Sequence, residues 1–521
     1  MRRWIIIIGL AFLLFLFTKY GLVPEILANV RSRTERTLQT HFESKVEFSD
    51  FEVSLLPRIH MTMSGLVMRH KGRTDITPLI RVREVSMYAN LLSLLQKKPR
   101  ISFVELNGLQ IHTPPRRPGD EPLIQRTEED LAKKYPVHIR ELRADDAVIV
   151  ILRAQPEKPP REFRIHRLQL HDLSFDRPAR FHAELTNPIP AGVIDAAGEF
   201  GPWLPDVPSK TPAVGQYIFQ NADLGTLKGL KGILSSKGEF SGPLDYLNVN
   251  GATDTPDFNL RMADHPMALH TDFSVVVDGT NGDTYLNSVT AQFLHTTLAV
   301  SGKVVDINPE VKGRTIVLDA LSRDARVEDL IRLAVKTDEP ILIGSAKLKT
   351  KINIPEGDSD LIDRLKLKGQ FVIDNAQFAS PEIQGKIDTL SRKGQGRPKN
   401  MDINSVVSKM KGDFKLSDGI MTFSNLNFGV AGASLNLSGT YNLDSEALDF
   451  HGELMLQAKL SQTTTGAKSF FLKALDPFFN GKNAGTVLQI KITGTKGNPK
   501  FGLDHGGDSN TEESPPPKTS K

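Results

Sequence analysis

The chain has 521 residues, 39% hydrophobic and 24% charged, so most of it can fold. Its length suits about three to four domains. Lys and Arg number 65 against 61 Asp and Glu, a formal net charge of +4 with no strongly basic stripe, which argues against a nucleic-acid partner. Cysteine is absent, which excludes disulfides, thiolate metal sites and cysteine nucleophiles.

The N-terminus, MRRWIIIIGLAFLLFLFTKYGLV, carries Arg2 and Arg3 before an uncharged run from Trp4 to Thr18. Extended past Lys19 to Val23, it reaches about 20 residues, enough to cross a bilayer with Lys19 snorkelling. Trp4 and Tyr20 fall where interfacial aromatics belong. No small-x-small cleavage site follows Phe17, so residues 1–23 are expected to be a transmembrane signal anchor rather than a cleaved signal peptide. Arg2 and Arg3 place its N-terminus in the cytoplasm, against a weaker opposing count from Lys19, Arg31, Arg33 and Arg36. Arg31, Arg33 and Arg36 read either as a solvated helix face or as contacts to lipid phosphates.

Pro24 suits the first turn of a helix running to Phe42. Period-two patterning then predicts strands over 46–53, 60–68, 80–90, 101–106 and 109–113, with a short helical interruption at 91–100. Residues 24–113 thus form a helix-plus-β segment, and 114–136 a linker with one polar helix. The region 137–320 reads as strands and turns, including an Asn281-Gly282 hairpin in which Asp283 is a turn residue. The region 321–505 adds helices at 324–337, 382–391 and 467–479 to further strands, and 506–521 is a polar, disordered tail.

One pattern recurs: apolar, x, Gly, x, apolar. It occurs at Val300-Gly302-Val304, Leu367-Gly369-Phe371, Met410-Gly412-Phe414, Leu437-Gly439-Tyr441 and Phe450-Gly452-Leu454. Leu342-Gly344-Ala346 is a smaller version, and AGEF and KGEF are partial copies. Counted by twos, each glycine falls on the apolar face of its strand, where it packs nothing. Such a one-faced sheet has to hide that face by stacking into a sandwich or by curling. Glycine there marks either bulges and close backbone approach in a sandwich, or tight curvature with room for an acyl chain.

Catalytic motifs are missing: there is no HExxH, GxSxG, Walker A or strand-following GxGxxG. GTLKGLKG reads as a polar loop, and TEEDLAKK as a solvated helix with i,i+4 pairs. His166 and His171, five apart, point to opposite faces of a strand. No catalytic, cofactor or metal residue is assigned, and the chain is expected not to be an enzyme.

The order of features resembles the AsmA family of bacterial envelope proteins. The N-terminal likeness is carried by VEFSDFEVSLLPRIHMTMSGLVM and VREVSMYANLLSLLQKKPRISFVELNGLQIHTPP. The C-terminal likeness is carried by MKGDFKLSDGIMTFSNLNFGVAGASLNLSGTYNLDSEALDFHGELML and by LQIKITGTKGNPKFGLD, with Gly494, Pro499 and Phe501. It spans roughly 30–115 and 405–505, while the middle matches only in style. The resemblance implies a single-pass inner-membrane protein with its bulk in the periplasm. The implied fold is mostly β: a long, curled, taco-like antiparallel sheet with a few amphipathic helices and one N-terminal transmembrane helix. The implied partner is phospholipid, carried between inner and outer membrane along an apolar groove lined by the residues of the five repeats. The alternatives are a periplasmic scaffold or assembly factor for outer-membrane proteins, and an envelope hydrolase.

Overall fold

The computed structural model describes residues 44–54, 58–70, 78, 80–90, 100–113, 138–151, 161–174, 176–202, 204, 208–308, 311–336, 339–395, 408–457 and 486–504. The expected anchor, Trp4, Lys19, Tyr20, Arg31, Arg33, Arg36, the 24–42 helix, the linker, the 467–479 helix and the tail lie outside these residues, as do 91–99. No helix among the described residues is long and apolar enough to cross a membrane.

The first strands are β1 (Ser44–Glu47), β2 (Asp50–Ser54), β3 (Ile59–His70), β4 (Ile80–Ala89), β5 (Arg100–Asn107) and β6 (Gln110–Thr113). The long run follows: β7 (His138–Ile151), β8 (Arg161–Leu173), β9 (Ala179–Pro188), β10 (Ala191–Phe200), β11 (Pro212–Asp223), β12 (Leu230–Lys231), β13 (Ile233–Pro243), β14 (Leu247–Leu260), β15 (Met267–Val277), β16 (Thr284–Phe293), β17 (Thr296–Val305) and β18 (Thr315–Arg326). Helix α1 (Val327–Ala334) leads to β19 (Leu342–Ile354) and β20 (Lys366–Phe378), and α2 (Pro381–Gly394) precedes β21 (Ser408–Ser417). The chain ends in β22 (Ile420–Val430), β23 (Ala433–Asn442), β24 (Ala447–Leu456), β25 (Thr486–Thr495) and β26 (Asn498–Leu503).

The protein is mostly β, built as one long sheet in which sequence neighbours pair from β7 onward, with the two-residue β12 joined to β14. Residues 320 and 321 both fall inside β18, so the sheet passes that expected boundary unbroken. The expectation of a purely antiparallel sheet is corrected: β5 and β6 both pair with β7 in parallel. A parallel neighbour needs a crossover of a dozen or more residues, which the 114–137 segment is long enough to supply. Gly108, at φ +66°, turns β5 into β6, so the two act as one interrupted strand between β4 and β7.

The β15–β16 hairpin forms, but its turn spans 278–283 and only Gly282 takes a left-handed φ (+82°). Asp283 does more than turn the chain: it accepts from Arg314 and from the Asp306 amide, the latter at 3.0 Å.

Side chains pack into two clusters. One gathers Val82, Val104, Ala144 and Ile165 between β4 and β8. The other seats Val327, Leu330 and Ile331 of α1 on Ala346, Ile373 and Ala376 of β19 and β20. The Asp329 carboxylate, 4% exposed, pins α1 by accepting from the His295 amide and Thr296 Oγ1, both at 2.9 Å. Helix α2 starts on Ser380, which accepts from the Ile383 amide, with Pro381 beside it and Arg392 and Lys393 in its last turn.

The sheet has two rims. One carries the turns after β11, β14, β18 and β20; the other carries those after β13, β17, β19 and β25. These opposite rims touch twice. In the β19–β20 loop, the Leu361 amide donates to the Lys228 carbonyl at 3.2 Å and Lys228 Nζ donates to the Asp358 carbonyl at 2.6 Å. Beside them Arg261 pairs with Asp360 at 2.5 Å. Farther along, Lys496 Nζ, just after β25, reaches the Lys336 carbonyl just after α1 at 3.4 Å.

Asp360 is only 6% exposed, and Arg261 is its cation. Arg261→Ala should cost about 3 kcal/mol, the low end for a broken buried pair because the arginine is itself mostly exposed. It should also speed hydrogen exchange at Leu361 while leaving β7 and β8 protected. Unchanged exchange at Leu361 would show that the rims are not joined there.

Candidate functional site

The fifteen candidate residues of the repeats fall into adjoining rows on one face, set by strand register. One row of directly opposed residues runs Phe273, Val289, Val300, Ala320, Thr350, Gly369, Phe414, Phe423, Gly439, Phe450, Ile492, Phe501. A second links Gly302, Leu318, Ile352, Leu367, Leu416, Met421, Tyr441 and Leu448. Its neighbour Val304 faces Ile316. A third links Leu348, Phe371, Gly412, Leu426, Leu437, Gly452 and Ile490, and Met410 and Leu454 belong to a fourth with Phe428 and Leu435. These rows contain no charged side chain.

The glycines have a common placement. Gly-x-Phe in one strand lies antiparallel to Gly-x-Phe in the next, so that Gly369 opposes Phe414 while Phe371 opposes Gly412. The same exchange pairs Gly215 with Phe240 and Tyr217 with Gly238, and pairs Gly439 with Phe450 and Leu437 with Gly452. Each ring lies over the bare backbone opposite: Phe414 Cζ sits 2.8 Å from where a Gly369 side chain would begin, and Phe371 Cζ sits 3.2 Å from that point at Gly412. This is aromatic rescue of glycine within a sheet. At Gly439 and Gly452 the Asp449 and Asn436 carbonyls of the facing strands occupy the space a side chain would need. The β23–β24 register runs unbroken through both positions, whereas on its other side Gly439 borders a register shift in β22 between Phe423 and Leu426, so close approach and a neighbouring bulge coincide there.

The rings also meet each other. Phe371 lies 6.2 Å from Phe414 and 6.4 Å from Phe423, and Phe423 lies 5.8 Å from Phe450. Each such pair adds about 0.5–1.5 kcal/mol beyond its buried area. Phe423 was not among the sequence candidates, although it is the ring that joins the others. The apolar alternation of MTFSNLNF carries it, but it lacks the flanking glycine that marked the rest.

Phe450, Leu437 and Gly412 are buried, and the other candidates are half-buried. Phe371 and Met410 pack against the α1 cluster. Burial pushes the Tyr441 phenol above its ordinary pKa, with Glu446 adding to the shift. A cavity of about 330 Å³ lies elsewhere, between β3, β4 and β7, lined by Arg81, Arg83, Gly108 and Asp146 and by none of the candidates.

On the opposite face His451 sits between Asp504, at 2.8 Å, and Asp449, at 3.0 Å, tying β24 to the chain just past β26. No protein-family model, curated protein or solved structure matches the chain.

Gly439→Ala should destabilise the protein by about 1–3 kcal/mol in chemical denaturation, as overpacking does. Ser438→Ala, one residue away on the polar face, should stay within about 0.5 kcal/mol. Equal losses would remove the close-approach account. Hydrogen bonds donated by the His451 ring to Asp504 and then Asp449 raise its pKa, so the stability they add is present at low pH and lost as pH rises through the folded value. Hydrogen-exchange protection in β26, corrected for the base-catalysed intrinsic rate, should therefore fall as pH rises above the ordinary histidine value of about 6.5, and Asp504→Asn should flatten that fall.

Proposed function

We propose that the chain is an inner-membrane-anchored periplasmic protein whose sheet curls into an apolar trough that carries phospholipid between inner and outer membrane. The observation that carries this reading is the set of uncharged rows running across β15–β26. Most of their side chains are half-buried, and α1 covers part of them.

Curling is supported by the rim contacts. Arg261 lies about five strand spacings from the β19–β20 loop and Lys228 about seven, roughly 25 and 35 Å in a flat sheet, and both are on the opposite rim. Touching requires the sheet to bend toward one face. The glycines support a bend toward the apolar face, because the facing backbone leans into the space their side chains would occupy. The AsmA-like order of features points the same way.

The mechanism is physical. An acyl chain leaving a bilayer loses about 0.8 kcal/mol per exposed CH₂. Rows of Phe, Leu and Val remove most of that cost along their length, while the headgroup stays at the wet mouth. No side chain changes protonation state.

The test is native mass spectrometry and lipid extraction of the full chain. The wild type should carry phospholipid. Phe423→Asp, in the ring ladder, should lose it while melting cooperatively, and Ser438→Asp on the polar face should keep it. A lipid-free wild type, or lipid retained in the Phe423→Asp and Leu367→Asp variants alike, would leave the scaffold reading in its place.

A further inference from the structure

The strands that build the apolar rows are basic on their other face. The sequence reads KLKTK in β19, KLK in β20 and KMKGDFK in β21, with lysine at every second position or nearly so. All of these lysines are exposed: Lys347, Lys349 and Lys351; Lys366 and Lys368; Lys409, Lys411 and Lys415. Register stacks them, with Lys351 opposite Lys368 and Lys368 opposite Lys415.

Adjacent strands lie about 4.8 Å apart, and like charges placed directly opposite each other destabilise a sheet. Acidic relief is sparse. Asp319 reaches Lys351 at 3.8 Å, and Asp374 is shared by Lys347 at 3.9 Å and Lys409 at 3.2 Å. Lys349, Lys366, Lys368, Lys411 and Lys415 have no ion-pair partner among the described residues. Keeping the face wet does not demand this charge, since β22 and β23 manage with Thr422, Ser424, Asn425, Asn436, Ser438 and Thr440.

We propose that this lysine face docks on the headgroup surface of an anionic lipid bilayer. Protein interfaces centre on aromatic and arginine anchors and are depleted in lysine. The outward positions of these three strands hold neither an aromatic residue nor an arginine. Lysine is a point charge on a flexible stem, without the planar fork that reads a shaped carboxylate or phosphate partner. Such an array suits negative charge smeared over a surface, to which each nearby lysine adds independently. The docking does not depend on what fills the apolar face.

The experiment reconstitutes the full chain in phosphatidylcholine vesicles and measures capture of a second, labelled vesicle population. Phosphatidylglycerol vesicles should be captured and phosphatidylcholine vesicles should not, with capture fading from about 0.05 to 0.5 M salt. The combined Lys349→Gln, Lys368→Gln and Lys411→Gln variant should bind on the order of a hundredfold more weakly. The matching arginine variant should retain capture, and Lys303→Gln, Lys491→Gln and Lys500→Gln, together on the same face but outside the patch, should change it little. Undiminished capture by a folded glutamine variant, or equal capture of phosphatidylcholine vesicles, would overturn the proposal. So would binding of poly-glutamate or duplex DNA in preference to anionic vesicles, which would mark an acidic macromolecule as the partner.

Discussion

An antiparallel sheet can leave one face in water, but its apolar face has to be covered. In most β proteins a second sheet stacks about 10 Å away and fills that role. Here the strands follow one another in a single pairing order, so the register that sets each glycine opposite an apolar side chain, as at Gly369–Phe414 and Gly439–Phe450, decides what covers the face. Each ring shields the backbone opposite it, and the glycine opposite leaves room for the ring to lie flat. Removing the glycine side chains therefore builds the face rather than weakening it.

The same register brings the facing backbone of β23 and β24 close at Gly439 and Gly452. Opposite rims meet at Asp360 and at Lys496. The rim contact at Asp360 is specific. A carboxylate 6% exposed needs a cation, and Gly229 in the facing rim leaves the space in which it sits, since a side chain there would collide with Asp360 Oδ1. The Lys228 carbonyl, which accepts from the Leu361 amide, and the Asp358 carbonyl, which accepts from Lys228 Nζ, complete the contact.

Period-two alternation in the sequence placed strands one by one over 46–113 and marked 137–320 as strands and turns, and helical spacing placed α1. The face on which the glycines lie was legible for the same reason. Their cause was not, because Gly369 and Phe414 become neighbours only once β20 and β21 are in register. The parallel β5–β7 pairing was hidden because no local pattern distinguishes a parallel neighbour from an antiparallel one. Asp360 carries no local signal in the sequence, since its partner Arg261 lies beyond several intervening strands. The lysine face was in view as K-x-K, but a net charge of +4 averages it against acidic residues elsewhere, such as Asp254 and Asp272 on β14 and β15.

The two faces of β19–β21 are bound together by that alternation. Glycine-rich strands specify register weakly, because a slipped pairing loses little packing. In β20 a one-residue slip would bring Lys366 and Lys368 onto the face that holds Leu367, Gly369 and Phe371. Desolvating those ammonium groups would cost far more than the slip could gain. The lysines therefore hold in place the register that sets each ring over its glycine. Repulsion along the Lys351–Lys368–Lys415 row is the cost of that specificity, and an external negative surface is what would offset it.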